Sequence, residues 1–414
     1  MLRIILFIFL LVNAVGIKAQ QPETLLFADK LTDSSMSTSI KKETKEIDLP
    51  DIYRMIVKSK EKSNTTSPKQ KKVLISALPA FGYSLQTKFA VLGVVNAAFY
   101  TSKARKENIS SILANVTYTQ NAQLLLPILS NIWSEGNKYN LITDWRYLKY
   151  PSITYGLGGN TKSQDGYLMD YSYLRFYQTL LRSIAPNLYA GLGYNLDYFW
   201  NIREINPPAN KQTDLEKYGL TKKEIASGVT ANVSYDNRKN SINPEKGYFA
   251  RLAYRPNFAF LGSNTNNWES LTIDLRTYVK LPGKSKNVLA FWNYNWLTTG
   301  GNPPYLLLPS TGWDVNNNSG RGYIQGRFRG KDMIYLETEY RFRILNNGLI
   351  GGVLFLNAQS VTDQNTNSFQ HVYPGWGTGI RIKVNKYSRT NIAIDYGFGV
   401  NGSRGFFINL GEIF

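Results

Sequence analysis

Hydrophobic and polar positions alternate along most of the chain after residue 72. In the stretch 270–281, "SLTIDLRTYVKL", every second side chain is apolar or β-branched, and the positions between them are largely polar or charged. The stretch 334–343, "IYLETEYRFR", repeats this pattern with both signs of charge on its polar face. A period of two predicts β-strands. Polar faces with so much charge are typical of barrel strands, which have lipid outside and a polar lumen inside.

Turn residues divide this region into fifteen alternating stretches. They are predicted at 404–414, 389–400, 375–386, 348–361, 331–345, 286–298, 267–281, 247–259, 225–236, 187–203, 167–182, 137–148, 122–133, 109–119 and 87–100. Single-chain bacterial barrels have an even number of strands, so the weaker stretch 72–81 is expected to be the first one. It contains Pro79 near its end, where an edge strand tolerates proline. The sequence predicts an all-β fold, a sixteen-stranded antiparallel transmembrane β-barrel over residues 72–414.

The connections between these stretches alternate in length. Short turns are predicted at 134–137, 185–187 and 345–348, and long loops at 149–166, 204–224, 299–331 and 362–374. Outer-membrane barrels have short periplasmic turns and long extracellular loops. The pattern therefore predicts the bacterial outer membrane as the location.

The segment before the barrel has a different composition. Residues 1–19 combine an early arginine, an apolar run and a small residue, Ala19, which is typical of a cleaved signal peptide. Residues 20–71 are polar and are expected to form a periplasmic segment. Within it, the apolar spacing in 49–62 favours a short amphipathic helix, and a fluctuating linker is the alternative.

Composition narrows the classes of function. The chain has 48 basic and 29 acidic residues, a net charge of +19, and no cysteine. The basic residues are scattered along an exported chain, which favours a basic lumen or contact with lipid headgroups over nucleic acid. The single histidine, His371, has no serine or acid at an informative spacing. We therefore expect no catalytic residue, no metal site, no cofactor and no enzymatic activity, with lipid and other outer-membrane or periplasmic proteins as partners.

Three motifs carry a resemblance to a known family. The stretch "SYDNRKNSINPEKGY" contains a turn motif formed by Asp236, Arg238, Asn243, Pro244, Gly247 and Tyr248. The stretch "SGRGY" contains a loop tip formed by Gly320, Arg321, Gly322 and Tyr323. The chain ends in "FFINLGEIF". Their order and spacing resemble the BamA/TamA-type bacterial surface antigen family over residues 72–414.

The resemblance implies a role for the loop at 299–331. In the family this loop folds back into the lumen, and its arginine pairs with acidic side chains of the inner wall. Arg321 would occupy that position here, and Glu339 aligns with one of the family's acids. Asn357 stands where the second acid is expected, which predicts a neutral hydrogen bond and a weaker anchor. A solvated loop arginine is the alternative.

The resemblance also favours assembly of outer-membrane proteins. Because unpaired edge strands can template incoming strands, we expect this activity at the seam between the first and last strands. On the last predicted strand, 404–414, one face carries Phe406, Ile408, Leu410 and Phe414, and part of the strand's edge is expected to be unpaired. Family members that assemble proteins carry periplasmic POTRA domains. Only about fifty residues precede this barrel, so we expect a stand-alone member without POTRA domains. Protein insertion or translocation, a structural or accessory role in an envelope complex, and a passive pore remain open.

Overall fold

The computed structural model describes residues 46–56, 73–104, 107–209, 212–219, 221–261, 266–282, 286–363, 366–386 and 388–414. The predicted signal peptide and residues 57–62 of the predicted helix lie outside these ranges.

The described chain forms one antiparallel sheet of seventeen strands. The strands are β1 Val73–Ser84, β2 Lys88–Phe99, β3 Ser110–Thr119, β4 Leu124–Trp133, β5 Tyr139–Lys149, β6 Ser152–Thr154, β7 Tyr167–Ala185, β8 Leu188–Ile205, β9 Lys223–Asp236, β10 Gly247–Asn257, β11 Trp268–Lys280, β12 Val288–Gly300, β13 Met333–Arg343, β14 Ile350–Val361, β15 Tyr373–Asn385, β16 Thr390–Gly399 and β17 Arg404–Leu410. Strand β6 has three residues and pairs with β7 beside β5. The other strands each pair with the next along the chain, and β1 meets β17. The predicted sixteen-stranded barrel is confirmed.

The side chains that alternate in the sequence face the lumen and the outer surface of the barrel in turn. In β16, Asn391, Ala393 and Asp395 are buried and face the lumen, while the isoleucines between them face outward. Large exposed apolar residues such as Leu192 lie on the outer face. Because lipid covers this face, the packed core lies in the lumen, where strand side chains meet residues of the loop 301–332.

The two ends of the barrel sheet meet at one residue pair. Tyr83 of β1 lies opposite Ile408 of β17, and no other β1–β17 pair occurs in the described residues. In contrast, β1 pairs with β2 along its whole length. The first strand, predicted at 72–81, continues through Pro79, opposite Gly93, and ends at Ser84, three residues later than predicted.

The last strand is shorter than the sequence predicts. Strand β17 ends at Leu410, and Gly411 has a φ of 100°, a conformation that glycine adopts without steric cost. The chain then turns into the lumen, so Phe414 does not share the outer face with Phe406 and Leu410. This corrects the prediction of a last strand over 404–414. Across the seam, residues 73–82 of β1 have no partner in the described chain, and Ile408 is the only residue of β17 that has one. Part of the last strand's edge is therefore unpaired, as the sequence predicts.

Short helices lie at the ends of the strands. They are α1 Leu49–Ile56, α2 Asp214–Tyr218 and 3-10 turns at Glu135–Asn137, Ser163–Asp165, Ala259–Leu261 and Tyr305–Leu307. No helix in the described ranges is long and apolar enough to cross a membrane. Helix α1 begins with a reciprocal cap, because the backbone N–H groups of Asp48 and Asp51 each donate to the other's carboxylate.

The segment 46–56 binds the short-turn end of the barrel. Glu46 pairs with Arg343 at 2.6 Å and with Lys286 at 3.1 Å. Asp51 pairs with Lys386 at 2.6 Å, and the Lys386 N–H donates to Asp48. The segment therefore follows the rim from β12 and β13 to the turn after β15, held mainly by ion pairs.

We expect this contact to depend on pH. Partial burial would raise the pKa of Glu46, but hydrogen bonds and charges from Arg343 and Lys286 outweigh it and lower the pKa to about 2. Because the pKa is below its ordinary value of 4.5, the contact is fully present above pH 4.5 and is lost as pH falls towards 2. A spin label on Tyr53→Cys should become mobile over that range. In Glu46→Gln it should be more mobile at pH 7 already, and a label immobile at pH 2 would contradict this assignment.

Candidate functional site in the barrel lumen

The loop 301–332, between β12 and β13, fills much of the lumen. Its side chains Tyr305, Leu308, Arg321 and Phe328 are almost fully buried. Tyr305 and Leu308 pack on inward-facing residues of β5 to β9, and Phe328 packs on those of β11 to β14. The loop is therefore part of the core, which explains how so long a connection is ordered.

Arg321, at the tip of this loop, is bound by three carboxylates of the inner wall. Its guanidinium donates to Asp395 of β16 at 2.6 Å and to Glu337 and Glu339 of β13. The same group stacks on Phe355 of β14, 3.7 Å from the ring centre. Arg321 is 1% exposed. A guanidinium buried this deeply requires such partners, because an isolated buried charge is very costly.

Two further arginines extend the network towards the short-turn end. Arg341 donates to Glu339 at 2.7 Å, and Arg381 donates to Asp395 at 2.5 Å and to Glu412 at 2.7 Å. Together with Arg321, the cluster has three guanidinium groups and four carboxyl groups: those of Glu337, Glu339, Asp395 and Glu412. It links β13, β15, β16, the loop tip and the segment after β17.

Asn357 has a different role from the predicted one. Its side-chain amide donates to the backbone carbonyl of Arg321 at 2.9 Å and makes no hydrogen bond to the guanidinium. Glu337 and Asp395 supply the negative charge that the family resemblance predicts at this position. The expectation of a weakened anchor is therefore wrong, because Arg321 has more carboxylate partners than the motif predicts.

The glycine and tyrosine residues of the loop tip allow it to approach the wall closely. Gly322 has a φ of 105°, and a side chain there would lie 2.4 Å from the carbonyl oxygen of Phe398. Gly320, on the other side of Arg321, also has a positive φ. Tyr323 donates its hydroxyl hydrogen to the Pro374 carbonyl at 2.6 Å and accepts from the Val400 N–H at 3.0 Å.

The residues after β17 cover the site on its short-turn side. Phe414 is 3% exposed, and its ring centre lies 5.3 Å from that of Trp292 and 6.3 Å from that of Tyr278. Its carbonyl oxygen accepts from Arg341 at 2.9 Å. The carbonyl of the preceding residue accepts from Asn318 in the loop at 2.7 Å. This segment therefore binds both the loop and the wall.

The turn motif lies at the short-turn end between β9 and β10. Arg238 pairs with Asp236 through two hydrogen bonds, of 2.9 and 2.8 Å, and stacks on Phe249. The Tyr248 N–H donates to Asn237 at 2.6 Å. Within the motif, Asn243 lies in the turn with its N–H bound to Asn240, Pro244 is buried, and Gly247 begins β10. The motif residues thus shape a turn some distance from Arg321, and the structure does not bring the two motifs together.

Some site residues could have been recognised earlier in the sequence. Glu337 precedes Glu339 by two positions on the same polar face, so its inward direction follows from the alternation. Asp395 lies on an inward position of an otherwise apolar and glycine-rich stretch. Nothing local in the sequence indicates that Glu412 and Phe414 turn inward, apart from Gly411. Within the described residues, no cluster of three acidic, histidine or cysteine side chains could hold a metal ion.

Comparison with known proteins gives the same fold. The Omp85 superfamily domain matches residues 97–414. A structure of BamA from Haemophilus ducreyi lacking POTRA domains 1-3 has a TM-score of 0.54 and 14% identity, and the match covers 82% of this chain and 69% of that one. CdiB from Acinetobacter baumannii has a TM-score of 0.54 and 13% identity over 83% of this chain and 60% of that one.

CdiB from Escherichia coli has a TM-score of 0.56 and 8% identity, covering 82% of this chain and 62% of that one. This chain therefore spans less than two thirds of either CdiB chain. At these identities the structural likeness shows the fold alone, and the curated proteins include no significant match. The family model covers most of the barrel, including the loop tip, the turn motif and the inward-turned end. The chain belongs to the Omp85 superfamily, whose barrels lie in the bacterial outer membrane.

Proposed function

We propose that this barrel inserts or translocates proteins at the outer membrane, and that the seam between β1 and β17 is the working site. The observation that carries the proposal is the single residue pair, Tyr83 with Ile408, that joins the two strands. Residues 73–82 of β1 have no partner on that side in the described chain. An unpaired strand edge in lipid is unfavourable and can be satisfied by another strand.

Two other observations support this function over a passive pore. The loop 301–332 is anchored across the lumen by the buried Arg321 cluster, and Phe414 packs beneath it. A solute channel requires an open path along the barrel axis, and these residues occupy much of that space. The weak seam offers a path sideways into lipid instead.

An accessory role in an envelope complex is the second candidate. It is favoured by α1, where Leu49, Tyr53 and Ile56 are exposed while Asp51 binds the barrel. Such an exposed apolar face could contact a periplasmic partner. This role predicts that the purified barrel has no insertion activity by itself.

The test is a disulfide across the seam, Tyr83→Cys with Ile408→Cys. Directly opposed residues in antiparallel strands have the Cα separation that a disulfide requires, and the chain has no cysteine to interfere. The matched control is Leu252→Cys with Ile273→Cys, an opposed pair on β10 and β11, away from the seam. Both proteins are reconstituted in phospholipid vesicles, and folding of an added unfolded outer-membrane barrel is followed by gel mobility without heating.

The reduced seam variant should accelerate folding of the added barrel, and the oxidised form should lose this activity. The control should be equally active in both states, because its disulfide joins strands that are already paired. An oxidised seam variant as active as its reduced form would exclude the seam as the working site. No activity in the wild-type barrel would favour the accessory role.

A further inference from the structure

A cavity of about 630 Å³ lies in the lumen beside the seam. Tyr83 and Ile408, the pair that joins β1 to β17, both line it. The lining continues to Gln86 and Tyr150 at the long-loop end and to Ile242 and Gly411 at the short-turn end. The cavity therefore follows the seam on its inner side, and its volume is that of a typical ligand pocket.

The wall of this cavity is unusual for a barrel lumen. On β2, β4 and β5 it is lined by six apolar residues: Ala90, Leu92, Leu125, Pro127, Leu129 and Leu148. Asn115 and Thr117 of β3 and Arg146 of β5 add polar groups to the same side. On β2 the neighbouring Phe89 and Val91 are 54% and 52% exposed on the outer face. This strand is therefore apolar on both faces, whereas the lumen faces of β13 and β16 carry buried charge. Lumen positions in outer-membrane barrels are ordinarily polar.

The apolar residues of β2, β4 and β5 favour hydrocarbon over a polypeptide as the occupant of this part of the cavity. Leucine, alanine and proline side chains offer no hydrogen bonds to an incoming backbone, and each unpaired peptide group in an apolar site is costly. An acyl chain has no polar groups to satisfy, and it gains from burial against these residues.

The open part of the seam indicates which lipid can enter. Strand β17 ends at Leu410, so the unpaired part of β1 is residues 73–82, in the half of the barrel towards the short turns. Gly82, Leu410 and Gly411 line the cavity at this point. In an outer-membrane barrel the short turns are periplasmic, and the periplasmic leaflet consists of phospholipid.

We propose that this cavity binds an acyl chain of a phospholipid from the periplasmic leaflet, admitted through the open half of the seam. The cavity reaches Arg321 and Glu412 of the Arg321 cluster, but the acyl chain would lie against the apolar residues of β2, β4 and β5. The proposal does not require that the barrel insert proteins. It gives the seam a second role, as a lateral entry for lipid into the lumen.

Photocrosslinking tests this proposal directly. The full-length barrel is reconstituted in phosphatidylcholine vesicles that contain a phosphatidylcholine with a diazirine in one acyl chain, and labelled residues are identified by mass spectrometry. Trp313 and Val315 of the loop line the cavity, so their labelling reports a chain inside the lumen. We expect labelling there in addition to the outer face. Labelling of the outer face alone would overturn the proposal.

Two variant pairs separate the inner wall from the outer face. Leu92→Gln with Leu129→Gln makes the cavity wall polar, and labelling of the loop should be lost. The matched control, Val91→Gln with Ile128→Gln, changes the adjacent outward positions, which are 52% and 43% exposed, and should keep it. Both must show the wild-type heat-dependent gel shift. If the double inner variant does not fold, the single Leu129→Gln substitution replaces it and should weaken labelling. Unchanged labelling in the folded inner variant would contradict the proposed site.

Two other probes test whether a different ligand occupies the cavity. A lipopolysaccharide with the same diazirine in an acyl chain should not label the loop. An unfolded outer-membrane barrel peptide with a photoreactive side chain should label β1 or β17 but not Trp313 or Val315. Loop labelling by either probe, without labelling by the phospholipid, would overturn the assignment to a phospholipid.

Discussion

Replacing Arg321 by methionine should destabilise the barrel by about 3–5 kcal/mol, because it leaves the buried carboxylate of Glu337 without a cation and takes one cation from Glu339 and Asp395. Glu337 is the most affected, since among the described residues Arg321 is the only cation in its ion pairs. Unfolding in urea, followed by gel mobility without heating, measures the change. The loop should also become accessible to protease.

A double-mutant cycle with Glu337→Gln tests whether the effect arises from this contact. Glu337→Gln in the Arg321→Met background removes a carboxylate that has lost its partner, so the double variant should cost less than the sum of the single ones. The control is Arg203→Met, whose side chain is 66% exposed and pairs with Asp170 at 2.6 Å. Exposed pairs contribute about 0–1 kcal/mol. Strict additivity, or an Arg321→Met effect as small as that of the control, would contradict the role of Arg321 as an anchor.

The barrel was predictable because its determinants are local and repeated. Alternation in stretches such as 270–281 and 334–343 specifies which side chains face lipid, and a one-residue shift in register would reverse every one of them. The same alternation directs Glu337 and Glu339 inward, so two of the three carboxylate partners of Arg321 follow from the sequence once the loop is known to fold back. The inward fold of the loop itself came from the family resemblance and not from its composition.

The parts that the sequence did not predict depend on tertiary contacts. The resemblance places Asn357 where an acid is expected, but the lumen supplies the charge from Asp395, two strands further on, and Asn357 binds the backbone instead. The end of β17 was extended to residue 414 because alternation continues through "NLGEIF". The burial of Phe414 depends on a cavity between Trp292, Tyr278 and Arg341, which come from three other strands.

The inward position of Phe414 leads to the second large expected effect. Phe414→Ala removes a ring that is 3% exposed, and loss of a buried phenylalanine costs about 3–5 kcal/mol. The neighbouring segment should loosen with it, because Glu412 and Ile413 are held by the same turn at Gly411. A cysteine at Ile413, which is 1% exposed, should therefore react slowly with a polar maleimide in the wild-type background and rapidly in Phe414→Ala.

Phe406→Ala, on β17 itself, is the matched control. Phe406 is 50% exposed on the outer face, so its loss reduces contact with lipid and leaves the lumen intact. We expect a smaller loss of stability, about 1.5–3 kcal/mol, and no change in the reactivity of the cysteine at Ile413. The two positions would be equivalent if the last strand continued to residue 414 with both rings in lipid. Two results together would contradict the inward position of Phe414: equal losses of stability in the two variants, and a cysteine at 413 that reacts rapidly beside the native Phe414. They would indicate that the last strand continues to residue 414.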